Sequence, residues 1–444
     1  MKIRINTPCG EILGSTCRLS GVISFKGIRY ATAGRWEYPK QVTEWEGVYD
    51  ATSYGNCSYQ PRAFYNEEDN LKKIFYYNEF RKGEKYTYSE DCLFLNVWTP
   101  ESATSESKLP VIVYIHGGGY TGGCGHEKHF DDPIWPTKGV IAVTINYRLG
   151  PMGFLCLPEL RDEAGHCGNY GLYDQLCAIN WVRDNIASFG GDPSKITIMG
   201  QSAGAMSVQQ LCTSPLTDDL FCGAVMSSGC GISNMLMSTP DKVYPFWQEV
   251  MKRLGCVTLD EFRRISPDRL FAEWQSAKKE VKGGMMATFP VNDGYFVVDG
   301  SMPKQIPYII GSNSQDMAPP ILYSLSKKWG KDELDYRYIY HLDRMLPGDK
   351  NGAWHSADLW YWFGTLEKCW RPFEQKDYDL SDKMTTYLCN FAKNGNPNGE
   401  NQPKWTTQKE NKNVMCFGEG DTHMGKPSMA RLIITMLTNN SVGE

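Results

Sequence analysis

The stretch Ile196-Thr197-Ile198-Met199-Gly200-Gln201-Ser202-Ala203-Gly204-Ala205-Met206-Ser207 constrains this chain more than any other. Alternating apolar residues run into Gly-x-Ser-x-Gly, and small helix-compatible residues follow. That order predicts a strand, a sharp turn and a helix, with a serine hydroxyl lifted out of a sheet at the turn. Gly200 and Gly204 leave room where strand and helix backbones come together and a Cβ would obstruct. With 43 glycines in 444 residues the pattern can also arise by chance, so its partners elsewhere decide its meaning.

The surrounding pattern is α/β. Val111-Ile112-Val113-Tyr114-Ile115 and Ile141-Ala142-Val143-Thr144-Ile145 are continuous runs rich in β-branched residues, as expected of strands covered on both faces. Leu172, Leu176, Ile179, Val182 and Ile186 recur at helical spacing and predict an amphipathic helix over 172–188. Gly190-Gly191-Asp192-Pro193 ends it. Ala224-Val225-Met226-Ser227-Ser228 and Tyr308-Ile309-Ile310 are further strands, with a charged helical stretch over 237–282 between them. Near the start, Ile3 and Ile5 alternate with polar residues, Pro8-Cys9-Gly10 turns, and Glu11-Ile12-Leu13-Gly14 returns, predicting a small antiparallel sheet. Residues 62–90 are charged, tyrosine-rich and without period, which predicts a surface excursion before the strand over 91–98. Strands alternating with helices imply one large, mostly parallel central sheet with helices on both faces, in a single domain over 1–444.

Composition narrows the function classes. The net charge is −5 and no long basic run points to nucleic acid. No apolar run approaches membrane-span length, and the alternating Met1–Thr7 segment lacks the apolar core of a signal peptide, so the expectation is a cytoplasmic protein with no membrane partner. The 15 cysteines are odd in number, scattered and without a C-x-x-C pair. Zinc ligands come in close pairs, so the pattern predicts reduced thiols packed as small hydrophobes, and no metal.

An acyl-transfer serine needs a base within hydrogen-bond reach, a carboxylate to orient that base, and donors for an oxyanion. Three histidines follow Ser202. His355 sits in Gly352-Ala353-Trp354-His355-Ser356-Ala357-Asp358-Leu359, where a small-residue turn can present an imidazole before a helix. His341, in a charged tyrosine-rich segment, and His423, in a polar loop, read as surface histidines. For the acid, Asp316 follows the strand Tyr308-Ile309-Ile310 by a short loop, on the rim where the serine would stand. Asp293 in Val291-Asn292-Asp293-Gly294 is a rival, although Asp-Gly is first of all a turn signal. The strand over 111–115 ends in His116-Gly117-Gly118-Gly119-Tyr120, whose glycines let backbone N–H groups approach a substrate oxygen. No Gly-Lys-Ser/Thr follows, so this is not a phosphate loop.

Taken together these motifs resemble the type-B carboxylesterase/lipase family, which includes the cholinesterases, within the α/β-hydrolase fold. The resemblance extends to Gly27-Ile28-Arg29-Tyr30-Ala31, Glu90-Asp91-Cys92-Leu93-Phe94-Leu95-Asn96-Val97 and Asn146-Tyr147-Arg148-Leu149-Gly150. It continues in Gly168-Asn169-Tyr170-Gly171-Leu172-Tyr173-Asp174-Gln175, Phe189-Gly190-Gly191-Asp192-Pro193 and the run from Asn390 to Gly399. It implies hydrolysis of small-molecule carboxylic esters through an acyl-enzyme, with no metal or organic cofactor. By motif, Ser202 becomes the nucleophile, His355 the base and Asp316 the acid, with oxyanion donors at the N–H groups of Gly118, Gly119 and Ala203.

Four departures from the family pattern stand out. Gln201 replaces the usual Glu beside the serine, and Gly311-x-Asn313-x-Gln315-Asp316-Met317 carries Asp where the family usually has Glu. The interval from Asp316 to His355 is short, which implies a shallow site without a long lid and a preference for soluble short-acyl esters. Cys57 and Cys92 match positions that the family often joins by a disulfide, but no Trp lies between them, which argues against a cholinesterase. An acyltransferase or amidase using the same triad, and a non-catalytic binding relative, are the alternative readings. Oligomeric state is not set by the sequence.

Overall fold

Thirteen strands form one sheet in the computed structural model, which describes residues 2–71, 74–350 and 352–438. In chain order they are β1 (Lys2–Thr7), β2 (Gly10–Thr16), β3 (Val22–Arg29), β4 (Val48–Asp50), β5 (Phe94–Pro100), β6 (Leu109–Ile115) and β7 (Ile141–Ile145). Then follow β8 (Gly191–Gln201), β9 (Gly223–Ser227), β10 (Tyr308–Asn313), β11 (Arg337–Leu342), β12 (Val414–Phe417) and β13 (His423–Gly425). Across the sheet the order is β1-β2-β3-β5-β7-β6-β8-β9-β10-β11-β12-β13, with β4 beside β2. The block from β7 to β12 is parallel throughout. Strands β1 to β3 pair antiparallel, β4 joins β2 in parallel, and the same sheet continues antiparallel through β3–β5 and β5–β7.

Both faces are covered, which is why the central strands are apolar without alternation. In β6 successive side chains point to opposite faces. Val111, Val113 and Ile115 join one core with Ala178, Ile179 and Val182 of the helix Tyr170–Asn185 and Val208 and Leu211 of the helix Ala203–Thr213. Ile112 and Tyr114 join the other, against Met384, Tyr387, Leu388 and Phe391 of the helix Gln375–Asn394. The helix predicted over 172–188 is Tyr170–Asn185, continued by a 3₁₀ turn Ile186–Phe189. The helices Pro240–Arg253 and Pro267–Glu280 pack in a third core with residues 155–160.

The register brings the carboxyl ends of four strands to one rim. Ile115 of β6 lies beside Gly200 of β8, Gln201 beside Ser227 of β9, and Ser227 beside Gly311 of β10. The segments that leave these ends carry the glycine loop, Ser202 and Asp316. In the 62–90 excursion the structure has a short helix, Ile74–Phe80, where the sequence shows no period. Its aromatics supply the reason: Phe75 and Phe80 lie against Trp354, with ring centroids 5.1 and 5.7 Å away. Tertiary packing, not propensity, holds so short a helix. No helix among the described residues is long and apolar enough to cross a membrane.

A buried ion pair ties the chain after β7 to the helix beneath it. Arg148 donates to both carboxylate oxygens of Asp174 at 2.7 and 2.8 Å, its backbone N–H donates to the same group at 3.0 Å, and its remaining nitrogen reaches the carbonyls of Gly34 and Glu37. Removing one partner would strand the other charge without water, which costs about 3–5 kcal/mol. Asp174→Ala should therefore lower the unfolding free energy by about that amount in urea titration. A loss below about 1 kcal/mol would mean that the guanidinium is solvated in the variant.

Candidate active site

Ser202 sits where β8 turns into the helix Ala203–Thr213, with φ 56° and ψ −125°. A side chain in this region is strained, and such strain persists only where the surroundings over-determine it. Here the Ser202 N–H donates to Ser227 O at 2.8 Å and its carbonyl accepts from Met206 at 3.0 Å. The helix starts hard against the sheet: a Cβ at Gly204 would stand 2.1 Å from Ile115 O. Glycine is needed at that position for the turn to close.

The other two residues arrive on segments that are zipped together. The Gln315 N–H donates to Ala353 O at 2.8 Å, Ala353 N–H to Ser314 Oγ at 3.1 Å, and the Asn313 amide to Trp354 O at 2.9 Å. Fixed in this way, His355 Nε2 lies 2.8 Å from Ser202 Oγ, and its Nδ1 meets Asp316 Oδ1 in a short hydrogen bond. The fully buried Asp316 also accepts from the N–H groups of Asn313 at 3.1 Å and Met317 at 3.2 Å. With Nδ1–H donating to the carboxylate, Nε2 is left as an acceptor for the serine hydroxyl.

The glycine loop abuts the serine. A Cβ on Gly117 would come within 3.0 Å of Ser202 Cβ. Gly118 and Gly119 follow with φ of 105° and 61°, and both are exposed. Gly122 and Thr121 brace this turn by donating to Gly118 O at 3.0 and 3.1 Å. Ala203 is the first residue of its helix, so its N–H is one of the donors that an α-helix leaves unpaired. Burial pushes His116, which opens the loop, down to about 4, so it is neutral near pH 7 and adds no charge here.

Two carboxylates with different tasks share this neighbourhood. Burial works against ionised Asp316, but the His355 charge and hydrogen bond outweigh it and hold the carboxyl below its ordinary range. Asp358, also fully buried, is pushed up by burial and by the Asp316 charge, against hydrogen bonds from Ser227, Tyr340 and Asn313. The two carboxyls are thus pushed in opposite directions, Asp316 down and Asp358 up, and Asp316 is the one that meets the ring. Burial pulls His355 down, yet Asp316 more than compensates and its pKa is raised. The Gln201 carboxamide nitrogen lies 3.3 Å from Nε2 and brings no charge of its own.

The remaining sequence candidates fall elsewhere. Asp293 Oδ1 accepts from the N–H groups of Tyr295, Phe296 and Val297, so it closes a turn. His423 is exposed on β13. His341 is not a surface histidine: it is buried on β11, every residue of which is covered on both faces. Asp358 was missed in the sequence, and its one signal is a lone carboxylate heading the aromatic run Leu359–Phe363 three residues after His355. Cys57 and Cys92 are both free, buried thiols. One group among the described residues could hold a metal ion, Cys57, Cys124 and His126, and it includes none of Ser202, His355, Asp316 and the glycines of the loop.

The electrostatics give a signed expectation for the imidazole. In the folded protein His355 should titrate above about 6.5, read by NMR of its ring protons. Asp316→Asn removes the larger raising influences and leaves burial opposed only by the Asp358 charge, so the midpoint of the same resonance should fall. An unchanged midpoint in Asp316→Asn would mean that the carboxylate is not what sets it.

The carboxylesterase family's sequence model matches residues 2–337 and 326–431. The chain is 29% identical over 465 residues to the para-nitrobenzyl esterase of Bacillus subtilis (strain 168), covering 89% of this chain and 91% of that one. It is 33% identical over 532 residues to carboxylesterase 1D of Mus musculus, covering 93% and 89%. Among solved structures it superposes on an esterase from Clostridium hathewayi with a TM-score of 0.82 at 25% identity, over 98% of this chain and 97% of that one. Matches that run nearly end to end in sequence and in structure leave one assignment: the chain belongs to the carboxylesterase family of α/β-hydrolases and is a carboxylic ester hydrolase.

Proposed function

We propose that Ser202 is the nucleophile of this ester hydrolase, His355 its base and acid, and Asp316 the carboxylate that orients the imidazole. The observation that supports this reading is the unbroken hydrogen-bond chain from Ser202 Oγ through His355 to Asp316. Ser202 Oγ attacks the ester carbonyl while its proton passes to Nε2, and Asp316 stabilises the imidazolium that forms. The carbonyl oxygen becomes an oxyanion received by the N–H groups of Gly118, Gly119 and Ala203, each such donor being worth about 2.7–4 kcal/mol. Collapse breaks the bond to the alcohol, which leaves with the proton from Nε2. Water then attacks the acyl carbon while Nε2 takes its proton, and that proton passes to Ser202 Oγ as the bond to the acyl carbon breaks and the acid leaves.

The substrates we infer are soluble esters with short acyl chains and room for bulky or aromatic alcohol portions. Gly118 and Gly119 are exposed, Ser202 is partly exposed, and only 39 positions separate Asp316 from His355. An open site buries little of a long chain, so added CH₂ groups forgo the roughly 0.8 kcal/mol each would gain in an apolar tunnel. The Clostridium hathewayi relative is described as hydrolysing aliphatic aromatic polyesters, which agrees with a site that admits bulky groups. Direct access of water to a partly exposed serine favours hydrolysis over acyl transfer.

A fluorophosphonate probe should label Ser202, and Ser202→Ala should lose both label and esterase activity; labelling at another serine would overturn the assignment. Activity needs neutral His355, so it should rise with pH through a midpoint above about 6.5. Asp316→Asn should cut turnover by about ten-thousandfold while leaving the melting curve in place, and Asp293→Asn should do the reverse. Across p-nitrophenyl esters of increasing acyl length, kcat/KM should peak at acetate to butyrate. A peak at long chains, with a rate jump on droplet formation, would point to a lipid-binding lid.

A further inference from the structure

Cys57, Cys124 and His126 come from two segments that ester hydrolysis does not use. Cys57 opens a two-residue strand, Cys57–Ser58, paired with Tyr88–Ser89. Cys124 and His126 stand two residues apart beyond the glycine loop. The two sulfurs and a ring nitrogen of His126 all lie within 4.8 Å of one another, and all three residues are buried. Cys57 Sγ is 3.5 Å from His126 Nε2. In tetrahedral zinc, with Zn–S about 2.3 Å and Zn–N about 2.0–2.1 Å, the S···N edge is about 3.6 Å. The Cys57–His126 pair therefore already stands at the spacing of one coordination sphere, and Cys124 Sγ lies within 4.8 Å of both.

Buried thiols are more often packed hydrophobes than ligands, and that reading must be met. It accounts for the burial but not for three soft donors converging on one point. The surroundings also suit an ion. Two thiolates and a divalent cation make a centre of zero net charge, which is cheaper to bury than separated ions. The nearby guanidiniums are already balanced: Arg62 pairs with buried Glu127 at 2.6 Å, and Arg81 with Glu67 at 2.7 Å as well as with Glu127 at 3.3 Å. Arg62 Nη2 lies 3.9 Å from Cys124 Sγ and can donate to a thiolate there, the kind of outer partner that metal-bound ligands need. The His126 ring is held flat against Tyr54, with centroids 4.5 Å apart at 11°. His126 also borders a cavity of about 380 Å³ that Asn56, Glu84 and Asp131 line, which gives an ion a way in and water a place to stand.

We propose that Cys57, Cys124 and His126 bind one zinc-class divalent ion, with a water from this cavity as the fourth ligand. Binding converts two thiols to thiolates and releases two protons, so the charge balances. The ion would act on the catalytic loop from behind. Gln60, three residues after Cys57, bonds both the N–H and the C=O of Gly123 at 3.0 Å, and Gly122 braces Gly118 O. A metal joining Cys57 to Cys124 would fasten the same two segments and hold Gly118 and Gly119 in place. Metal binding itself does not rest on the catalytic assignment, and the measurements below can fail independently of it.

The full-length protein, purified under reducing conditions and stripped with chelator, is titrated with Co(II) and then with Zn(II). One equivalent of Co(II) should bind and give a thiolate-to-metal charge-transfer band in the near ultraviolet, which Zn(II) then removes while raising the melting temperature. The band should be lost in Cys57→Ser and Cys124→Ser and kept in Cys416→Ser, a thiol outside the group. X-ray absorption of the zinc-loaded wild-type protein, which depends on no variant folding, should show two sulfur ligands near about 2.3 Å. Absence of the band in the wild type, its persistence in both serine variants, or a coordination shell of oxygen and nitrogen alone would each overturn the proposal. So would recovery of a Cys57–Cys124 disulfide with no metal bound.

Discussion

The site depends on how closely the helix after Ser202 can approach the sheet. Ile115 O, at the end of β6, would lie 2.1 Å from any Cβ at position 204. That contact sets the angle at which the helix leaves β8, and the angle sets where the Ser202 hydroxyl points. The same strand end launches His116 and the glycine loop, so Ser202 and the glycine loop are placed by one constraint and not by two. The 56° φ of Ser202 is the strain that this crowding imposes. The surrounding ladder, with Ser227 O receiving the Ser202 N–H, keeps the turn from relaxing.

Charge around His355 is arranged with the same economy. Asp316 and Asp358 are both buried near one imidazole, yet only Asp316 is held below the ordinary carboxyl range. The difference lies in partners: Asp316 faces the ring and backbone N–H groups, whereas Asp358 faces Ser227, Tyr340 and Asn313 and feels the charge of Asp316. Linkage gives the signs for stability. Depressed Asp316 stabilises the fold above the ordinary carboxyl range and loses that contribution as pH falls through its folded value. Raised His355 stabilises the fold below about 6.5 and loses its share as pH rises through its own folded value. The two contributions overlap at mildly acidic pH, while the role proposed for His355 as base needs the neutral ring and so favours higher pH.

Much of this was legible in the chain, and the illegible parts share a cause. Strands β6 to β10 announced themselves because parallel strands covered on both faces must be apolar, and the turn at Ser202 because only glycine fits beside it. Ser202, Asp316 and His355 could be singled out because each follows a strand end or a small-residue turn. His341 was misread because tyrosines and charges disguised β11, a strand as buried as its neighbours. The helix Ile74–Phe80 has no period of its own, since Trp354, nearly three hundred residues away in the chain, is what it packs on. Nothing in the local pattern sets Asp358 apart from a solvated residue at a helix start, and only the fold shows it enclosed. Cys57 stands far from Cys124 and His126 in sequence, so a search for close cysteine pairs passes over them. In every case the missing information is a contact between distant segments.

The exposure of Gly118 and Gly119 poses a mechanical problem that the structure answers. Oxyanion donors work because they are already oriented when charge develops, and exposed glycines are the residues least able to hold an orientation. The rigidity therefore has to come from behind the loop. His116 stacks on Tyr147 at 4.4 Å, and the Tyr147 hydroxyl donates to His116 O at 2.8 Å. Gly150 N–H donates to Tyr120 O at 2.7 Å, and Gln60 grips Gly123 from the other side. The front of the loop is open to substrate while its two ends are clamped to β7's continuation and to the Cys57–Ser58 segment. An open site and the preorganised loop that the proposed oxyanion role requires are compatible here because the constraint and the exposure fall on opposite sides of the same short turn.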